Sequence, residues 1–317
     1  MAGERRGPTV GPMKILFATD GSPSAKRAEA LLATLRLPDP STVEVLYVDQ
    51  LFEEETDLPE RQRSALHTLL REDTDKELAA VRAALSGPGR EIVTTVVFGR
   101  PASVISATAA RIGADLVVLG SRGHGPFASA LLGSVAAEVV DHAPCPVLVA
   151  RGTSVSRIVL AADNSPGSRR AEEVVRSLPF LSALPVRVVS VAPLLPWYPA
   201  GGPAFSGEMY QQIIDDQRSS HERIAAAAAK RLAEHGIPAT AEVPQGDAAY
   251  GVIEAATATN ADLIAVGSRG NAGLTRLLLG SVARGILYHA PCSVLIVRQT
   301  VAADAAAARP STASQAV

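Results

Sequence analysis

The stretch DLVVLGSRGHGPFASALLGSVAAEVVDHAPCPVLVAR at 115–151 returns as DLIAVGSRGNAGLTRLLLGSVARGILYHAPCSVLIVR at 262–298, and this repetition decides the fold. The two segments align without a gap at an offset of 147, and 19 of their 37 positions are identical. A second pair, KILFATDGSPSAKRAEALL at 14–32 and RIVLAADNSPGSRRAEEVV at 157–175, aligns at an offset of 143. Two copies of one unit predict two similar domains in tandem.

Each copy alternates short apolar runs with amphipathic stretches. In the first copy the predicted strands lie at 14–19, 43–48, 91–98, 115–120 and 146–150, and the predicted helices at about 22–36, 60–85, 102–112 and 131–142. Apolar runs that are continuous rather than alternating are typical of strands buried on both faces. The pattern predicts an α/β fold of two tandem Rossmann-like domains, each a five-stranded parallel doubly wound sheet.

The repeat also sets the expected boundaries of the domains. We expect a flexible N-terminal arm at 1–12, a first domain at 13–151, a second domain at 155–298 and a disordered tail at 299–317, which is rich in Ala, Ser and Thr. The difference between the two offsets implies four extra residues in the second copy. They are expected in the Pro- and Gly-rich stretch at 191–208, which reads as a long loop.

Composition excludes several classes of function. The formal net charge is -2, so the chain has no basic field for a nucleic-acid backbone or an anionic membrane. No apolar stretch reaches the length of a membrane span, and the N-terminus lacks the apolar core of a signal peptide. Cys145 and Cys292 share the context Ala-Pro-Cys and are interpreted as reduced core residues. We expect a cytoplasmic protein that binds a small molecule or another protein.

Residues suited to ligand binding follow the strands at their carboxyl ends, where parallel sheets bind ligands. Each appears in both copies: Asp20 and Asp163 after strand one, Val48 and Val191 at the end of strand two, Gly99 and Gly246 after strand three, and Gly120 and Gly267 at the end of strand four. Residues distant in sequence are therefore predicted to converge on one rim of each sheet.

A glycine pattern begins at the end of strand four. It reads Gly120-Ser121-Arg122-Gly123, nine residues, Gly133-Ser134 in the first copy, and Gly267-Ser268-Arg269-Gly270, nine residues, Gly280-Ser281 in the second. Glycines let backbone N–H groups approach an anion, a helix N-terminus favours phosphate, and the serine hydroxyls and arginines add donors and charge. The alternative is that the glycines only make tight turns, which shared ancestry of the copies would also preserve. Neither copy is a P-loop or a dinucleotide fingerprint.

The chain resembles the universal stress protein family in its tandem-domain form, over about residues 13–298. The resemblance rests on ATDGS (18–22), AADNS (161–165), both glycine patterns, and HAPCPVLV and HAPCSVLI before the last strands. It implies that adenine and ribose lie at Asp20 with Val48 and at Asp163 with Val191. It implies that the phosphates lie on Gly120, Gly123, Gly133, Ser134 and Val135, and on Gly267, Gly270, Gly280, Ser281 and Val282.

The two copies differ in places. Gly21 follows the first aspartate where Asn164 follows the second, and His124, within the first spacer, has no counterpart in the second. Besides the residues that the copies share, we expect Gly21, Arg122 and His124 to contribute to the first site and Arg269 to the second. Because Gly21 and His124 have no counterparts, we expect the two sites to bind the nucleotide with unequal affinities.

The first functional hypothesis is an ATP-binding stress-response protein with one adenine nucleotide per domain and a regulatory output through an unknown protein partner. The rival is a nucleotide-free interaction scaffold of the same fold, and a third reading is a slow Mg²⁺-dependent ATPase. No catalytic residue and no metal ligand are assigned. Because the family commonly makes contacts through its last strand, we expect the two halves to pair pseudo-symmetrically. A homodimer is left open.

Overall fold

The computed structural model describes residues 12–49, 60–123, 132–194, 207–270 and 279–298. Its strands are β1 Met13–Thr19, β2 Ser41–Asp49, β3 Arg90–Phe98, β4 Leu116–Gly120, β5 Val147–Ala150, β6 Ile158–Ala161, β7 Val186–Val189, β8 Ala239–Glu242, β9 Leu263–Gly267 and β10 Ser293–Val297. Its helices are α1 Pro23–Thr34, α2 Glu60–Leu85, α3 Pro101–Ile112, α4 Ser134–His142, α5 Pro166–Ser177, α6 Pro179–Ser182, α7 Gly207–Glu234, α8 Ala248–Ala258 and α9 Ser281–His289.

Each half builds the parallel sheet that the repeat predicts. The strand order is β3-β2-β1-β4-β5 in the first half and β8-β7-β6-β9-β10 in the second. Neighbouring strands within each half are parallel. In both halves the order reverses beside the first strand, which lies between the second and the fourth. This reversal opens a crevice at the carboxyl ends of β1 and β4, and of β6 and β9.

The two halves join through their last strands. β5 and β10 pair antiparallel, with Val147 opposite Ile296, Leu148 opposite Leu295 and Val149 opposite Val294. The result is one sheet of ten strands, and the pseudo-symmetric pairing expected from the sequence is present. Because the join is antiparallel, strands of the two halves run in opposite directions. The two crevices therefore open at opposite edges of the sheet.

Helices cover both faces of this sheet. One core packs α1, α2, α5 and α7 on one face, and the other packs α3, α4, α8 and α9 on the opposite face. Alternate residues of a strand pack into different cores. Ile15 and Phe17 pack into the core with α1 and α2, Leu16 packs into the core with α3 and α4, and all three are fully buried. Fully burying one such side chain contributes about 1.5–3 kcal/mol. Both cores continue across the join between the halves.

Two details differ from the predicted elements. Helix α4 begins at Ser134 and not at 131, because Gly133 is extended (φ −83°, ψ 157°) and acts as its N-cap. A short helix, α6, follows α5 at Pro179 and was not expected.

Several predicted features lie outside the described residues: His124, residues 195–206 of the expected loop at 191–208, residues 1–11 of the arm and the tail at 299–317. The last two residues of the expected loop, Gly207 and Glu208, are the start of α7. No helix in the described part has the length and hydropathy that a membrane span needs.

The two cysteines precede the joining strands and give a test of this packing. Burial raises the pKa of the Cys145 thiol to about 12 and that of Cys292 to about 11. Because the thiolate is the reactive form, neither cysteine should react with iodoacetamide in the native protein at pH 8, whereas both should react in urea. Mass spectrometry counts the labels. Rapid native labelling of either cysteine would show that the packing at the join is wrong.

Candidate functional site

The aspartates that follow the first strand of each half are fixed by the turn into the next helix. The Ser22 N–H donates to Asp20 Oδ1 at 3.0 Å, and the Ser165 N–H donates to Asp163 Oδ1 at 3.0 Å. Ser22 and Ser165 are themselves the N-caps of α1 and α5. Each carboxylate is therefore held at the reversal point of its sheet.

The residues after these aspartates differ in sequence but share one backbone conformation. Gly21 has φ 72° and Asn164 has φ 61°, so both are left-handed. Asparagine is among the few residues other than glycine that adopt this region readily. The Arg169 guanidinium donates to Asn164 Oδ1 at 2.7 Å. The backbone therefore turns in the same way in both halves although the residue differs.

The second glycine of each pattern lies against the aspartate. A Cβ at Gly123 would lie 2.6 Å from Asp20 Oδ2, and one at Gly270 would lie 2.6 Å from Asp163 Oδ2. A side chain at either position would displace the carboxylate. The aspartate and the glycine loop thus form one continuous surface in each half.

The first glycine of each pattern has a packing role. A Cβ at Gly120 would lie 2.6 Å from the Ser24 carbonyl carbon, and a Cβ at Gly267 would overlap the backbone of Gly167. The end of β4 or β9 therefore packs directly on the first turn of α1 or α5. This contact explains Gly120 and Gly267 without a ligand, so the phosphate assignment depends on the other positions of the pattern.

The N-cap serines of α1 and α5 donate to the loop carbonyls of Arg122 and Arg269, and in the first half Ser24 adds a second side-chain contact to the loop. Ser24 Oγ accepts from the Arg122 N–H at 3.1 Å and lies 3.3 Å from Ser121 Oγ. Ser24, within the first turn of α1, is therefore a bridge to the loop and is not the N-cap of that helix. Its counterpart is Gly167, where a Cβ would overlap the Arg269 carbonyl oxygen. Sequence analysis missed this exchange of a side-chain bridge for direct backbone packing.

The third glycine of each pattern closes the loop and opens a helix. The Gly133 N–H donates to the Ser121 carbonyl at 2.7 Å, and the Gly280 N–H donates to the Ser268 carbonyl at 2.8 Å. These glycines are the N-caps of α4 and α9 and supply no side-chain acceptor. In contrast, α1, α5 and α8 are capped by the side chains of Ser22, Ser165 and Asp247. The first-turn N–H groups of α4 and α9 are thus placed for an external anion.

Positive charge accompanies each loop. Burial, with the nearby guanidinium of Arg122, lowers the pKa of Arg151, and burial, with Arg269 nearby, lowers that of Arg298. Two arginines are therefore close together at each glycine loop, which favours binding of an anion there. Among the described residues, no three His, Cys, Asp or Glu side chains are grouped as metal ligands would be.

The remaining predicted residues complete the rim. The Gly99 N–H donates to the Asp49 carbonyl at 3.1 Å, and the Gly246 N–H donates to the Ala192 carbonyl at 2.9 Å. Both glycines have φ near 140°, at 140° and 145° respectively, which side chains rarely adopt. Val48 lies one residue beyond the Thr19–Tyr47 pair and so beside Asp20. Its counterpart Val191 is buried.

A polar pair beside Asp163 was missed by sequence analysis. His221 Nδ1 lies 2.9 Å from Ser190 Oγ, and Ser190 is 1% exposed. Burial lowers the pKa of His221, and the nearby Asp163 carboxylate opposes that shift. At the equivalent positions the first half has Tyr47, whose pKa is raised by burial, and Thr74. Tyr47 and Ser190 are related by the offset of 143, and Thr74 and His221 by the offset of 147, but the sequences of α2 and α7 differ too much for the second relation to be visible in them.

The fold and this rim define a class: doubly wound α/β domains with a candidate anion site at the sheet reversal. The model of the universal stress protein family matches residues 12–151 and 154–298. The chain therefore belongs to the universal stress protein family, with two domains in tandem.

Individual relatives agree. A universal stress protein of Mycobacterium tuberculosis is 28% identical over 194 residues, which are 59% of this chain and 63% of that relative's length. A universal stress protein of Thermus aquaticus is 35% identical over 137 residues, 43% of this chain and 97% of its own. The crystal structure of a universal stress protein from Archaeoglobus fulgidus shares the fold, with a TM-score of 0.63 and 19% identity over 90% of this chain and 98% of that one.

The direct packing at Gly167 predicts a reversed effect of Gly167→Ala. Replacing glycine by alanine in a helix normally stabilises by about 1 kcal/mol. Here the new Cβ would overlap the Arg269 carbonyl oxygen, and such overpacking costs about 1–3 kcal/mol. We expect a lower free energy of unfolding in urea. Ser24→Ala is the matched control, since it adds no atoms and loses about 0.5–1.5 kcal/mol of hydrogen bonding. A more stable Gly167→Ala protein would contradict the close contact.

The lowered pKa of His221 predicts a pH dependence of stability. An unfolded chain, in which His221 has its ordinary pKa of about 6.5, binds the proton more readily than the native protein. The free energy of unfolding should therefore fall as the pH drops from 8 towards 5, and His221→Gln should reduce that fall. Urea unfolding at both pH values measures it. An equal fall in the variant and the parent would show that His221 is not buried as described.

Proposed function

We propose that each domain binds one adenine nucleotide, with ATP as the expected ligand, and that occupancy regulates a stress response. One observation carries the proposal. In both halves an aspartate, a glycine loop and a helix N-terminus without a side-chain cap meet at the reversal point of the sheet. A ligand with both hydroxyl groups and phosphates suits such a rim.

The phosphates would lie on the loop and the first turn of α4 or α9. The free donors of that turn belong to Ser134 and Val135 in the first domain and to Ser281 and Val282 in the second. The helix dipole, the serine hydroxyl and the arginine of the loop all favour negative charge there. Side chains cap α1, α5 and α8, whereas the start of α3, like those of α4 and α9, has no side-chain cap. The bare starts of α4 and α9 therefore support the proposal only together with the glycine loop and the aspartate beside them.

The nucleoside would lie on the outer part of the rim. Asp20 and Asp163 can accept hydrogen bonds from ribose hydroxyls. Val48 with Gly99, and Val191 with Gly246, would border the base at the ends of the second and third strands. The left-handed turn at Gly21 and Asn164 keeps the entrance similar in both domains.

A regulatory output fits this arrangement better than efficient turnover. Phosphoryl transfer needs a positioned base or water-orienting group at the γ-phosphate. Asp20 and Asp163 lie against Gly123 and Gly270, on the side proposed for ribose. We propose that the protein acts in the cytoplasm, where occupancy biases its conformation or its contact with a partner protein.

The nucleotide-free scaffold stays as a second candidate because of one observation. Contacts within the protein already account for two glycines of each pattern, namely Gly120 and Gly123, and Gly267 and Gly270. The third glycine, Gly133 or Gly280, is the position at which the two candidates differ. A Cβ at the third glycine would lie no closer than 3.3 Å to the loop, whereas at the first two glycines it would lie within 2.6 Å of its neighbour. Packing therefore requires glycine less strictly at the third position than at the first two.

Gly133→Glu and Gly280→Glu test the proposal. Each adds bulk and a negative charge at the proposed phosphate position, so each should abolish binding in its own domain. Isothermal titration with ATP should give two sites in the parent, one in each variant and none in the double variant. Gly87→Glu, in the exposed turn before β3 at the opposite edge of that half, is the matched control and should keep both sites.

The scaffold predicts a different result. In that case the parent binds no ATP by titration, and purified protein releases no nucleotide on denaturation. Two sites retained in both glutamate variants would contradict the site assignment while leaving nucleotide binding intact.

A further inference from the structure

Two arginines cross between the domains in a reciprocal way. Arg151 follows β5 and Arg298 follows β10, and the offset of 147 makes them equivalent. The Arg151 guanidinium donates to the Leu287 carbonyl and, at 3.2 Å, to the Cys292 carbonyl of the second domain. The Arg298 guanidinium donates to the Val140 carbonyl at 2.8 Å and to the Asp141 carbonyl of the first domain.

Each arginine contacts the carboxyl end of a helix in the other domain. The last four carbonyls of a helix have no partner within it, and cations are favoured there. Val140 and Asp141 belong to the last turn of α4, and Leu287 belongs to the last turn of α9. An ion pair between Arg284 of α9 and Asp141 of α4, at 3.9 Å, adds to the contact.

These two helices are the ones that begin at the glycine patterns. Gly133 is the N-cap of α4 and Gly280 is the N-cap of α9. Each helix has nine residues and is therefore about 14 Å long, a short rigid rod. Its first turn faces the proposed phosphate position and its last turn is held by the other domain. The antiparallel join explains this arrangement. The edge of the sheet at which the strands of one half begin is the edge at which the strands of the other half end.

We propose that Arg298 is a positioning residue for the first nucleotide site and Arg151 for the second, so that each site is completed by the other domain. The inference rests on the proposed function. By holding the far end of α4 or α9, the arginine fixes the first-turn donors relative to the loop. Because the helix is already ordered before the nucleotide binds, ordering it does not reduce the free energy of binding. Neither half alone has a complete site.

The same arginines also lie near the loop arginines of their own domains, Arg122 and Arg269. Removing a charge would therefore disturb both sites at once. Substitution by lysine separates the loss of the helix contact from the loss of charge. Lysine keeps the positive charge near the loop but lacks the planar guanidinium that reaches two carbonyls. Arg298→Lys and Arg151→Lys are thus the informative variants.

The experiment measures each site alone. In the Gly280→Glu background, which keeps the first site, Arg298→Lys should raise the Kd for ATP at least about fivefold, the lower end of the range of ordinary coupling between sites. In the Gly133→Glu background, which keeps the second site, Arg298→Lys should raise the Kd by a smaller factor, because the lysine keeps the positive charge near Arg269. Arg151→Lys should show the opposite pattern. Equal effects on both sites, or no effect, would overturn the proposal.

Arg157→Lys is the matched control. The Arg157 guanidinium also donates to a carbonyl at a helix end, that of Thr259 after α8, at 2.8 Å. That contact stays within one domain and α8 does not begin at a glycine pattern. Both Kd values should therefore be unchanged by Arg157→Lys.

A second measurement needs no nucleotide. Amide hydrogen exchange reports the hydrogen bonds from Gly133 N–H to Ser121 and from Ala137 N–H to Gly133 at the start of α4. Arg298→Lys should speed exchange there and not at Gly280 and Arg284, the equivalent amides of α9. Unchanged exchange would overturn the positioning role. If the parent binds no ATP, the proposed function fails, while this measurement still decides whether Arg298 positions α4.

Discussion

The antiparallel ladder between β5 and β10 is the interaction on which the rest of this structure depends. Both strands are apolar and buried, and each is the last strand of its half. Alone, either would be an open edge with a row of unpaired N–H and C=O groups, a known route to aggregation. Pairing them satisfies both edges, makes the two cores continuous and leaves β3 and β8 as the outer strands.

The ladder also fixes how the two halves can influence each other. Because it reverses the direction of the strands, the two rims lie at opposite edges of the sheet and cannot share one ligand. What each rim does share with the other half is a helix: α4 and α9 start at their own rims and end where the opposite half finishes its last strand. The arginines at 151 and 298 make contact there because they are the residues that leave the joining strands.

Repetition made most of this predictable from sequence. The two parallel doubly wound sheets and the position of each rim could be predicted from the two alignments, since a continuous apolar run and a repeated glycine pattern are local signals. The pairing of the last strands was expected from the resemblance to the family. Other features depend on which backbones meet in space. Gly120 contacts Ser24 across nearly a hundred residues, and His221 faces Ser190 from a helix that diverged between the copies. Neither pairing leaves a periodic trace, so the packing role of Gly120 and the pair beside Asp163 could not be predicted.

The difference between the halves most visible in the sequence proved to matter least for the backbone, since Gly21 and Asn164 turn alike. The differences that count lie in how each loop is held. In the first half a buried serine side chain bridges to the loop, and hydrogen bonds of this kind can open and reform. In the second half Gly167 lets two backbones touch. The hydroxyls of the N-cap serines of α1 and α5 also donate to loop carbonyls, so this support is common to both loops. Both kinds of contact preorganise the loop, and preorganisation lowers the cost of binding. On this argument the two rims share one shape but are held by different contacts.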